Sequence, residues 1–483
     1  MDFGIVLRVL GLLLLIESAS MLPSFGVALY YHQGDSKALL FSMVTTLVSG
    51  LLLYFAGRYS KKRGTVRHKE GFLIVGLGWI LASLFGALPF YLSGSIPSYA
   101  DAFFEAVSGF TTTGATILTD VEAIPKGLLF WRSFTHWLGG MGILVFAMAL
   151  LPALGAGSFL IFKAETTGPT TDKLTPRIRE TAKMLYVVYI IITLAQIITL
   201  RLAGMSLYDS LIHTFGTVGT GGFSNYNKSV GYFQNPTFEW IITIFMFVSG
   251  VNFSLYYDAL HGNIRTLLKD REFRLYIFLV LMAVVMIAIN INNAVYHDLG
   301  ESIRQSSFHV LSITSTSGFS AVDYDLWPDF SRMILLLLMF FGACAGSTAG
   351  GIKIIRILLV LKIIRKELNR LIHPKAVLVT RIGDKTIPDE TLQNTSSFLL
   401  LYLVIFLAAT IILLAQGMDI LSGVSAVATT LNNVGPGFNQ FGPARNFSTL
   451  SDFSKVLLSM LMLLGRLEIY TLFILVSPGF WKR

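Results

Sequence analysis

The sequence predicts an all-α polytopic membrane protein, in which four similar repeats follow an N-terminal hairpin of two helices. Three observations predict this architecture. The chain of 483 residues is 54% hydrophobic and only 13% charged, whereas soluble domains carry about 25% charged residues. Ten apolar segments are long enough to cross a bilayer, which takes about 20 residues in a helix. Four short stretches that contain glycine recur along the chain, at intervals of about one hundred residues.

The first apolar segment begins at the N-terminus, where a single Arg precedes a long apolar run without a small-residue cleavage site. We interpret this run as a retained first transmembrane helix rather than a signal peptide. The ten spans are expected near residues 4–31, 38–57, 71–92, 128–152, 184–203, 237–257, 274–291, 331–352, 396–416 and 454–478. The first two form the hairpin, and the other eight form four pairs that each enclose one glycine-containing stretch.

The four glycine-containing stretches set the boundaries of the repeats. They read F-T-T-T-G-A-T-I-L, G-T-V-G-T-G-G-F-S, S-I-T-S-T-S-G-F-S and T-L-N-N-V-G-P-G-F, and they align on Gly114, Gly222, Gly318 and Gly435, called here the filter glycines. Their separations are 108, 96 and 117 residues. We therefore expect the hairpin at 1–69 and the four repeats at 70–182, 183–272, 273–394 and 395–483.

A short amphipathic helix is predicted before each stretch, at 101–110, 208–217, 303–313 and 420–430. These helices are too short to span, and polar backbone at membrane depth is tolerated only where protein buries it or where it lines a watery cavity. Asp101 and Asp209 lie thirteen residues before their glycines, which suits a shared N-cap position. Gln305 and Ser422 occupy this position in the other two repeats, so the repeat is degenerate.

Each repeat thus has the order helix, pore helix, filter loop, helix. Glycine permits the unusual backbone angles that turn successive carbonyl oxygens inward, and carbonyl rings can replace the hydration shell of K+. The C-terminal ends of the pore helices carry partial negative charge, which favours a cation. Ordinary turns at helix ends are the alternative, but four such loops in register on one side of the membrane argue against it.

The sequence therefore predicts a potassium-channel-like pore with all four pseudo-symmetric quadrants in one chain. The candidate filter residues are Thr111, Thr112, Thr113, Gly114, Gly219, Thr220, Gly221, Gly222, Ser315, Thr316, Ser317, Gly318, Asn432, Asn433, Val434 and Gly435. The expected ion ligands are oxygens of Thr112, Thr113, Thr220, Gly221, Thr316, Ser317, Asn433 and Val434.

A stretch rich in small residues, F-G-A-C-A-G-S-T-A-G-G-I, interrupts the second span of the third repeat. Each Gly lowers helix stability by about 1 kcal/mol relative to Ala, so we interpret the stretch as a loop below the filter that gates the pore. Close helix packing through small residues is the alternative. The candidate gating residues are Gly342, Ala343, Cys344, Ala345, Gly346, Ser347, Thr348, Ala349, Gly350 and Gly351.

Arg466 lies well inside the last span, where a charge costs about 2.5–3.5 kcal/mol on the insertion scale. We expect it either to face the pore, as an electrostatic barrier to cations, or to pair with Glu468 or another carboxylate. A structural pair without a role in conduction is the alternative.

The basic residues predict the orientation of the chain. One side carries 27 of the 37 Lys and Arg residues and the other carries seven, so the first side and both termini should be cytoplasmic. The net charge of +9 then reflects topology rather than nucleic-acid binding. The single Cys344 excludes an intramolecular disulfide. His136 and His213 are interpreted as packing groups, and the sequence contains no nucleotide-binding fingerprint.

The motifs F-T-T-T-G-A-T, T-V-G-T-G-G-F-S-N, C-A-G-S-T-A-G-G-I-K-I-I-R and G-R-L-E-I-Y-T-L together resemble the Trk/Ktr/HKT superfamily of potassium transporters, bacterial TrkH type. The resemblance implies a homodimer in the bacterial cytoplasmic (inner) membrane, with one pore per protomer, K+ as the substrate ion and selectivity linked to Gly114. It also implies an intramembrane gating loop at Gly342–Gly351 and a pore-blocking role for Arg466.

The same resemblance implies a cytoplasmic partner, a TrkA-type regulatory ring that binds NAD or adenine nucleotides (ATP or ADP), while this chain carries no covalently bound cofactor. A K+ symporter coupled to H+ or Na+ is the first alternative. An intramembrane enzyme is the second, and the sequence offers no paired nucleophile and base for it. The lack of an intramembrane chain of carboxylates counts mildly against the symporter.

Overall fold

The computed structural model describes residues 1–59, 67–142, 178–376, 378–383 and 385–482. Within these residues the chain is mostly helical, which confirms the predicted all-α membrane fold. Six helical segments are long and apolar enough to cross a membrane, and two bent helix pairs raise the number to eight. The predicted span 128–152 is described only as far as residue 142, and the linkers 58–69 and 163–183 lie largely outside the described residues.

The helices follow the predicted order of hairpin and repeats. The hairpin and first repeat contain α1 (Phe3–Ser20), α2 (Leu22–Tyr31), α3 (Ser36–Ala56), α4 (His68–Gly86), α5 (Leu88–Leu92), α6 (Tyr99–Phe110) and α7 (Lys126–Gly140). The second repeat contains α8 (Ile178–Leu202), α9 (Leu207–Val218), α10 (Pro236–Ser249), α11 (Phe253–Leu260) and α12 (Ile264–Lys269).

The third repeat contains α13 (Arg271–Ile291), α14 (Leu299–Thr314), α15 (Asp329–Met339) and α16 (Ile354–Ile372). The fourth contains α17 (Asp389–Ala415), α18 (Ile420–Leu431), α19 (Asp452–Arg466), α20 (Tyr470–Val476) and α21 (Pro478–Trp481). A small antiparallel ribbon, β1 (Arg381–Ile382) and β2 (Lys385–Thr386), lies in the linker before α17. It was not predicted, since two-residue strands carry no periodic signal.

The four short pore helices α6, α9, α14 and α18 lie where the sequence predicts them, but the predicted N-cap position is wrong. Ser98 and Ser206 are the N-caps of α6 and α9, and their hydroxyl oxygens accept hydrogen bonds from the backbone N–H groups of Asp101 and Asp209. The two aspartates therefore lie in the first turn, where a carboxylate is favourable beside the helix dipole.

The other two pore helices show the same displacement. Asp419 caps α18 by accepting from the N–H of Ser422 at 3.0 Å, and Asp298 caps α14. The third pore helix has 16 residues against 12 in the other three, because it begins one turn earlier. Gln305 and Ser422 therefore lie inside their helices and not at the N-caps.

Three predicted spans are broken. Helices α10 and α11 meet at 93°, and α19 and α20 meet at 120°. The predicted span 331–352 ends as a helix at Met339, and residues 340–353, called here the inner loop, connect it to α16. Small residues in the inner loop offer little side-chain packing to a helix, which agrees with the predicted break.

The two long helices of the hairpin pack together through close backbone contact, and the hairpin lies against the first repeat. Helix α1 lies against α3 and α4, and a Cβ atom at Gly11 would lie 2.5 Å from the backbone nitrogen of Tyr54. Helix α4 packs in turn against α6, so the hairpin supports the first pore helix through α4.

Candidate functional site

The four filter loops share one unusual backbone conformation. Two residues before each filter glycine, the chain adopts a left-handed conformation, with φ of 54° at Thr112, 57° at Thr220, 59° at Thr316 and 54° at Asn433. The filter glycines are also left-handed, with φ between 71° and 98°. Left-handed angles are rare outside glycine. Their recurrence at equivalent positions therefore marks the four loops as copies of one structure.

The backbone N–H groups of the loops turn away from the centre toward their own pore helices. The N–H of Thr113 donates to the carbonyl of Ser108 at 2.9 Å, and that of Val434 donates to Thr429 at 2.8 Å. In the second repeat the N–H of Gly221 donates back to α9 in the same way, also at 2.8 Å. These bonds direct the N–H groups of the loops toward the pore helices, behind the loops.

Glycine contacts show that the four loops close into a ring. A Cβ atom at Gly114 would lie 2.1 Å from the carbonyl oxygen of Gly221, in the next repeat. The same clash recurs from Gly222 to Ser317 at 1.8 Å, from Gly318 to Val434 at 2.1 Å, and from Gly435 back to Thr113 at 2.6 Å. Each glycine thus abuts the residue before the glycine of the following repeat. We call these four glycines and carbonyl groups the filter ring.

Side-chain hydroxyl groups near the ring are largely engaged with protein. Thr111 and Thr113 share a hydrogen bond of 2.8 Å, as do Ser315 and Ser317. The Thr220 hydroxyl donates to the carbonyl of Gly219 at 2.7 Å. These hydroxyl groups therefore link residues within the filter loops, and the filter ring itself is formed by glycines and backbone carbonyl groups.

The side chain of Asn433 links two of the loops, because its amide donates to the Thr113 hydroxyl at 2.9 Å and to the carbonyl of Met462. Asn432 is bound to the Tyr402 hydroxyl behind the fourth loop. In the described residues no group of three or more His, Cys, Asp or Glu side chains could hold a metal ion. Around the ring the loops present backbone carbonyl groups together with hydroxyl and amide side chains.

A cavity of about 140 Å³ opens on the side of the ring from which the loops leave. All four filter glycines line it, together with residues of the connections that follow them. Arg132 and Arg445 also contribute to its wall. The ring therefore has a vestibule on the side opposite to the basic linkers.

The inner loop lies directly beneath the ring on the basic side. The backbone N–H of Gly350 donates to the Thr316 hydroxyl at 2.8 Å, and a Cβ atom at Gly350 would lie 2.7 Å from the carbonyl oxygen of Asn432. Inside the loop, Gly342 donates to the carbonyl of Ile352 at 2.9 Å. The predicted loop and the predicted filter are thus in contact.

Arg466 lies between the inner loop and the first repeat. Its guanidinium donates to the Thr348 carbonyl at 2.8 Å, to the carbonyls of Gly139 and Gly140 at 2.5 and 2.7 Å, and to the Thr112 hydroxyl at 3.3 Å. Glu468, the partner named in the predicted alternative, forms its ion pair with Arg356 instead. The chain reverses after Arg466, with φ of 53° at Glu468, and this turns the carboxylate away.

Charged residues that the sequence analysis missed hold the inner loop. One carboxylate oxygen of Glu272 accepts from the backbone N–H groups of Ala345 and Ile355, at 2.8 and 2.9 Å. The buried ammonium of Lys353 donates to the carbonyl of Ala349. A glutamate at the start of a span gives no local signal of this role, since its partners lie more than 70 residues away.

The two histidines considered earlier do more than fill helix interfaces. The His136 ring lies behind the second loop, 2.4 Å from where a Cβ atom of Gly221 would be, and its Nδ1 pairs with the Gly109 carbonyl at 2.7 Å. His213 contacts the Ser224 hydroxyl at 3.1 Å. Both residues thus support filter loops from behind.

Comparison with known proteins agrees with this geometry. The TrkH family, described as cation transport protein, matches residues 36–482. The chain is 40% identical over 486 residues to the Trk system potassium uptake protein TrkH of Escherichia coli (strain K12), and the alignment covers 100% of both chains. The TrkH protein of Vibrio parahaemolyticus (serotype O3:K6) is 40% identical over 488 residues, again with full coverage.

A crystal structure of the potassium transporter TrkH from Vibrio parahaemolyticus superposes with a TM-score of 0.89 at 38% sequence identity, and the match covers 100% of both chains. Sequence and structure therefore agree along the whole length. The chain belongs to the TrkH family of cation transport proteins.

Proposed function

We propose that this protein takes up K+ across the bacterial inner membrane through a gated, K+-selective pore. The observation that carries the proposal is the closed filter ring, in which each glycine abuts a carbonyl group of the next repeat. Carbonyl rings of this kind replace the water of a monovalent cation. The relatives named for potassium uptake support the choice of ion.

The membrane potential drives such uptake. A potential of 100 mV, negative inside, contributes about 2.3 kcal/mol per elementary charge, which corresponds to more than tenfold accumulation at about 1.4 kcal/mol per decade. The four pore helices direct their C-terminal ends toward the ring, and the partial negative charge there favours cations. The pore therefore needs no catalytic residue and no resident cofactor for this task.

The gate in this proposal is the inner loop together with Arg466. Arg466 is buried and donates to carbonyls of the loop and of α7, so a fixed positive charge lies just beneath the ring. A cation that leaves the ring toward the basic side meets this charge at close range, where the surrounding protein screens it poorly. Movement of the inner loop and Arg466 would open the path.

The direct test of selectivity replaces Gly114 with Ser. A Cβ atom at Gly114 collides with the Gly221 carbonyl, so the ring has to widen, and we expect the Rb+/Na+ uptake ratio of proteoliposomes to fall by roughly tenfold, or about 1.4 kcal/mol. Gly34→Ser is the matched control, since Gly34 has φ of 92° and no atom within 4 Å of its Cβ position. An unchanged ratio in Gly114→Ser would refute the filter assignment.

Regulation in this proposal comes from a cytoplasmic ring of TrkA type that binds NAD or ATP and ADP and docks on a homodimer of this chain. Helix α16 and the turn after it supply a basic surface, with exposed Arg365, Arg370 and Lys375. We expect replacement of all three residues with Gln to reduce co-purification of the cytoplasmic regulatory ring with this protein severalfold. Lys37→Gln with Lys228→Gln, exposed on the opposite side, should leave binding intact; equal loss in both would exclude this docking surface.

A K+ symporter coupled to H+ or Na+ is the second candidate, and one observation favours it. The sequence analysis expected no intramembrane chain of carboxylates, yet Glu17, Glu105, Glu239 and Glu272 are buried. Glu17 in α1 is fully buried, and neither of its oxygens has a hydrogen bond within the described residues. These glutamates lie on four different helices, and three of them bind arginines or backbone groups.

Flux measurements separate the two candidates. A channel carries Rb+ into proteoliposomes under a membrane potential alone, without Na+ and without a pH gradient. A symporter requires one of these ions, and Glu17→Gln should then uncouple it. Rb+ uptake that stops when Na+ and the pH gradient are removed would favour the symporter.

A further inference from the structure

Behind each filter loop, a buried side chain of the pore helix reaches the segment that follows the filter glycine. Glu105, His213 and His309 occupy the same position, nine residues before their glycines, and all are buried. The fourth repeat has Ala426 there, and the neighbouring Ser425 takes over the contact. Four residues of three types therefore meet one structural need.

The contact in the first repeat is the strongest. The Glu105 carboxylate accepts from the Thr116 hydroxyl at 2.9 Å and from the Ile117 backbone N–H at 3.0 Å, two and three residues after Gly114. In the fourth repeat the Ser425 hydroxyl accepts from the N–H of Phe438 at 3.2 Å, three residues after its glycine. Both contacts present an acceptor oxygen to the outgoing chain.

His213 and His309 present an acceptor nitrogen at the equivalent place in the second and third repeats. Nδ1 of His213 and Nδ1 of His309 face helix carbonyls of Asp209 and Gln305, at 2.8 and 2.9 Å. A carbonyl can only accept, so Nδ1 carries the proton in each ring and Nε2 of the neutral imidazole is an acceptor. Nε2 of His309 accepts from the Ala321 N–H at 3.4 Å, and that of His213 faces the Ser224 hydroxyl at 3.1 Å.

The first repeat alone uses a charged acceptor, and a buried arginine balances it. Nε of Arg132 lies 2.6 Å from Glu105, while Nη1 donates to the Ser224 carbonyl of the second loop at 3.0 Å. The guanidinium also lies over the Phe223 ring at 3.4 Å. The Glu105–Arg132 pair therefore joins two adjacent loops just after their filter glycines. The segments that follow the filter glycines are called here the outer rim of the filter ring.

We propose that these four acceptors position the outer rim of the filter ring, and that the Glu105–Arg132 pair determines how strongly the pore prefers K+ to Na+. The proposal rests on the proposed K+-selective function. Carbonyl groups keep their spacing only if the chain that follows the glycine is held, because an unsupported loop can contract around a smaller ion. The N–H groups behind the loops need acceptors, since buried donors are rarely left unpaired.

The test compares Rb+ and Na+ uptake in purified, reconstituted variants. Glu105→Gln removes the charge at nearly constant side-chain volume. We expect the Rb+/Na+ uptake ratio to fall about tenfold, because the proposed support of the loop depends on hydrogen bonds to a charged carboxylate. Glu105→Asp keeps the charge and should recover part of the ratio. Asp329→Asn, at a side chain that is 97% exposed, is the matched control and should keep the wild-type ratio.

Folding is separated from selectivity by a double variant. Glu105→Gln leaves a buried arginine without its carboxylate, which destabilises the protein. Arg132→Met in the same chain removes that unpaired charge, so thermal stability in detergent should recover while the Rb+/Na+ ratio stays low. Recovery of both properties would assign the pair to stability alone and overturn the proposal.

The histidine of the third repeat gives an independent test. His309→Gln can place an amide oxygen as acceptor, whereas His309→Leu cannot, so only the leucine variant should lose selectivity. Folded Glu105→Gln and His309→Leu proteins with wild-type ratios would overturn the proposal. If the wild-type protein itself does not prefer Rb+ to Na+, the proposed function fails first, and this outcome is distinguishable from failure of the positioning role.

Discussion

The filter ring and the inner loop beneath it differ in their symmetry. Every repeat contributes an equivalent loop to the ring, and the cyclic contacts of the filter glycines close it from the fourth repeat to the first. The inner loop comes from the third repeat alone and Arg466 from the fourth alone, and both bind groups of other repeats, through the Arg466–Thr348 and Arg466–Gly139 contacts. A ring of fixed size requires four equivalent loops. A segment that moves between two conformations does not need an equivalent copy in each repeat.

The two regions also differ in where the groups that stabilise them lie in the sequence. Within the filter loops, backbone groups bond to the loop's own pore helix over short sequence distances. Besides its own backbone bonds, the inner loop is held by charged side chains of distant segments, Glu272 and Arg466. Breaking a charged contact between distant segments releases one element without unfolding the rest. This difference makes the inner loop the natural site of the proposed gate.

The largest expected effect tests the rigidity of the ring. Gly222→Ala places a Cβ atom 1.8 Å from the Ser317 carbonyl, and a neighbouring backbone cannot move that far without opening the ring. We expect Rb+ uptake in proteoliposomes to fall more than tenfold, a loss of more than about 1.4 kcal/mol.

Gly94→Ala is the matched control for this change. Gly94 has nearly the same φ, 73° against 75°, but no atom lies within 4 Å of its Cβ position. It bears the same backbone strain, about 1–2 kcal/mol, without the clash. If both variants lose uptake equally, backbone strain rather than ring closure explains the result.

The next effect concerns the inner loop. Arg466→Ala removes the positive charge beneath the ring and its bonds to Thr348 and Gly139, so basal Rb+ flux without the regulatory ring should rise by about tenfold. Arg201→Ala, at an exposed residue near the end of α8, should leave the flux unchanged. A correctly folded Arg466→Ala protein with no flux would contradict the barrier role.

A smaller effect is expected at Glu272, which binds Ala345 inside the inner loop and Ile355 in the first turn of α16. Glu272→Ala leaves two backbone N–H groups without their acceptor, each worth about 1–3 kcal/mol. The loop should open more often, and basal Rb+ flux should rise a few-fold, with Rb+/Na+ selectivity retained. Glu390→Ala, in the exposed first turn of α17, is the control. Lost selectivity in Glu272→Ala would show that loop and ring are not separable.

The sequence predicts the location of both regions, but it does not predict the exact start of the pore helices. The filter loops were located from a local pattern, a glycine after a short amphipathic helix, and the structure brings all four to one ring. The inner loop was predicted from its small residues, and the helix does end at Met339. Asp101 and Asp209 were placed at N-caps that belong to Ser98 and Ser206, because Ser and Asp three residues apart both suit a helix start.

The sequence by itself determined the number of repeats, the position of each filter glycine and the side of the chain that carries basic charge, since these depend on composition and short patterns. Only the tertiary structure decided that the loops close in cyclic order, that Arg466 binds carbonyls of α7 while Glu468 binds Arg356, and that Glu105 supports the rim. The physical reason is that these contacts join residues up to 327 positions apart. Such partners are chosen by packing and by the need to satisfy buried polar groups, and no local pattern records that choice.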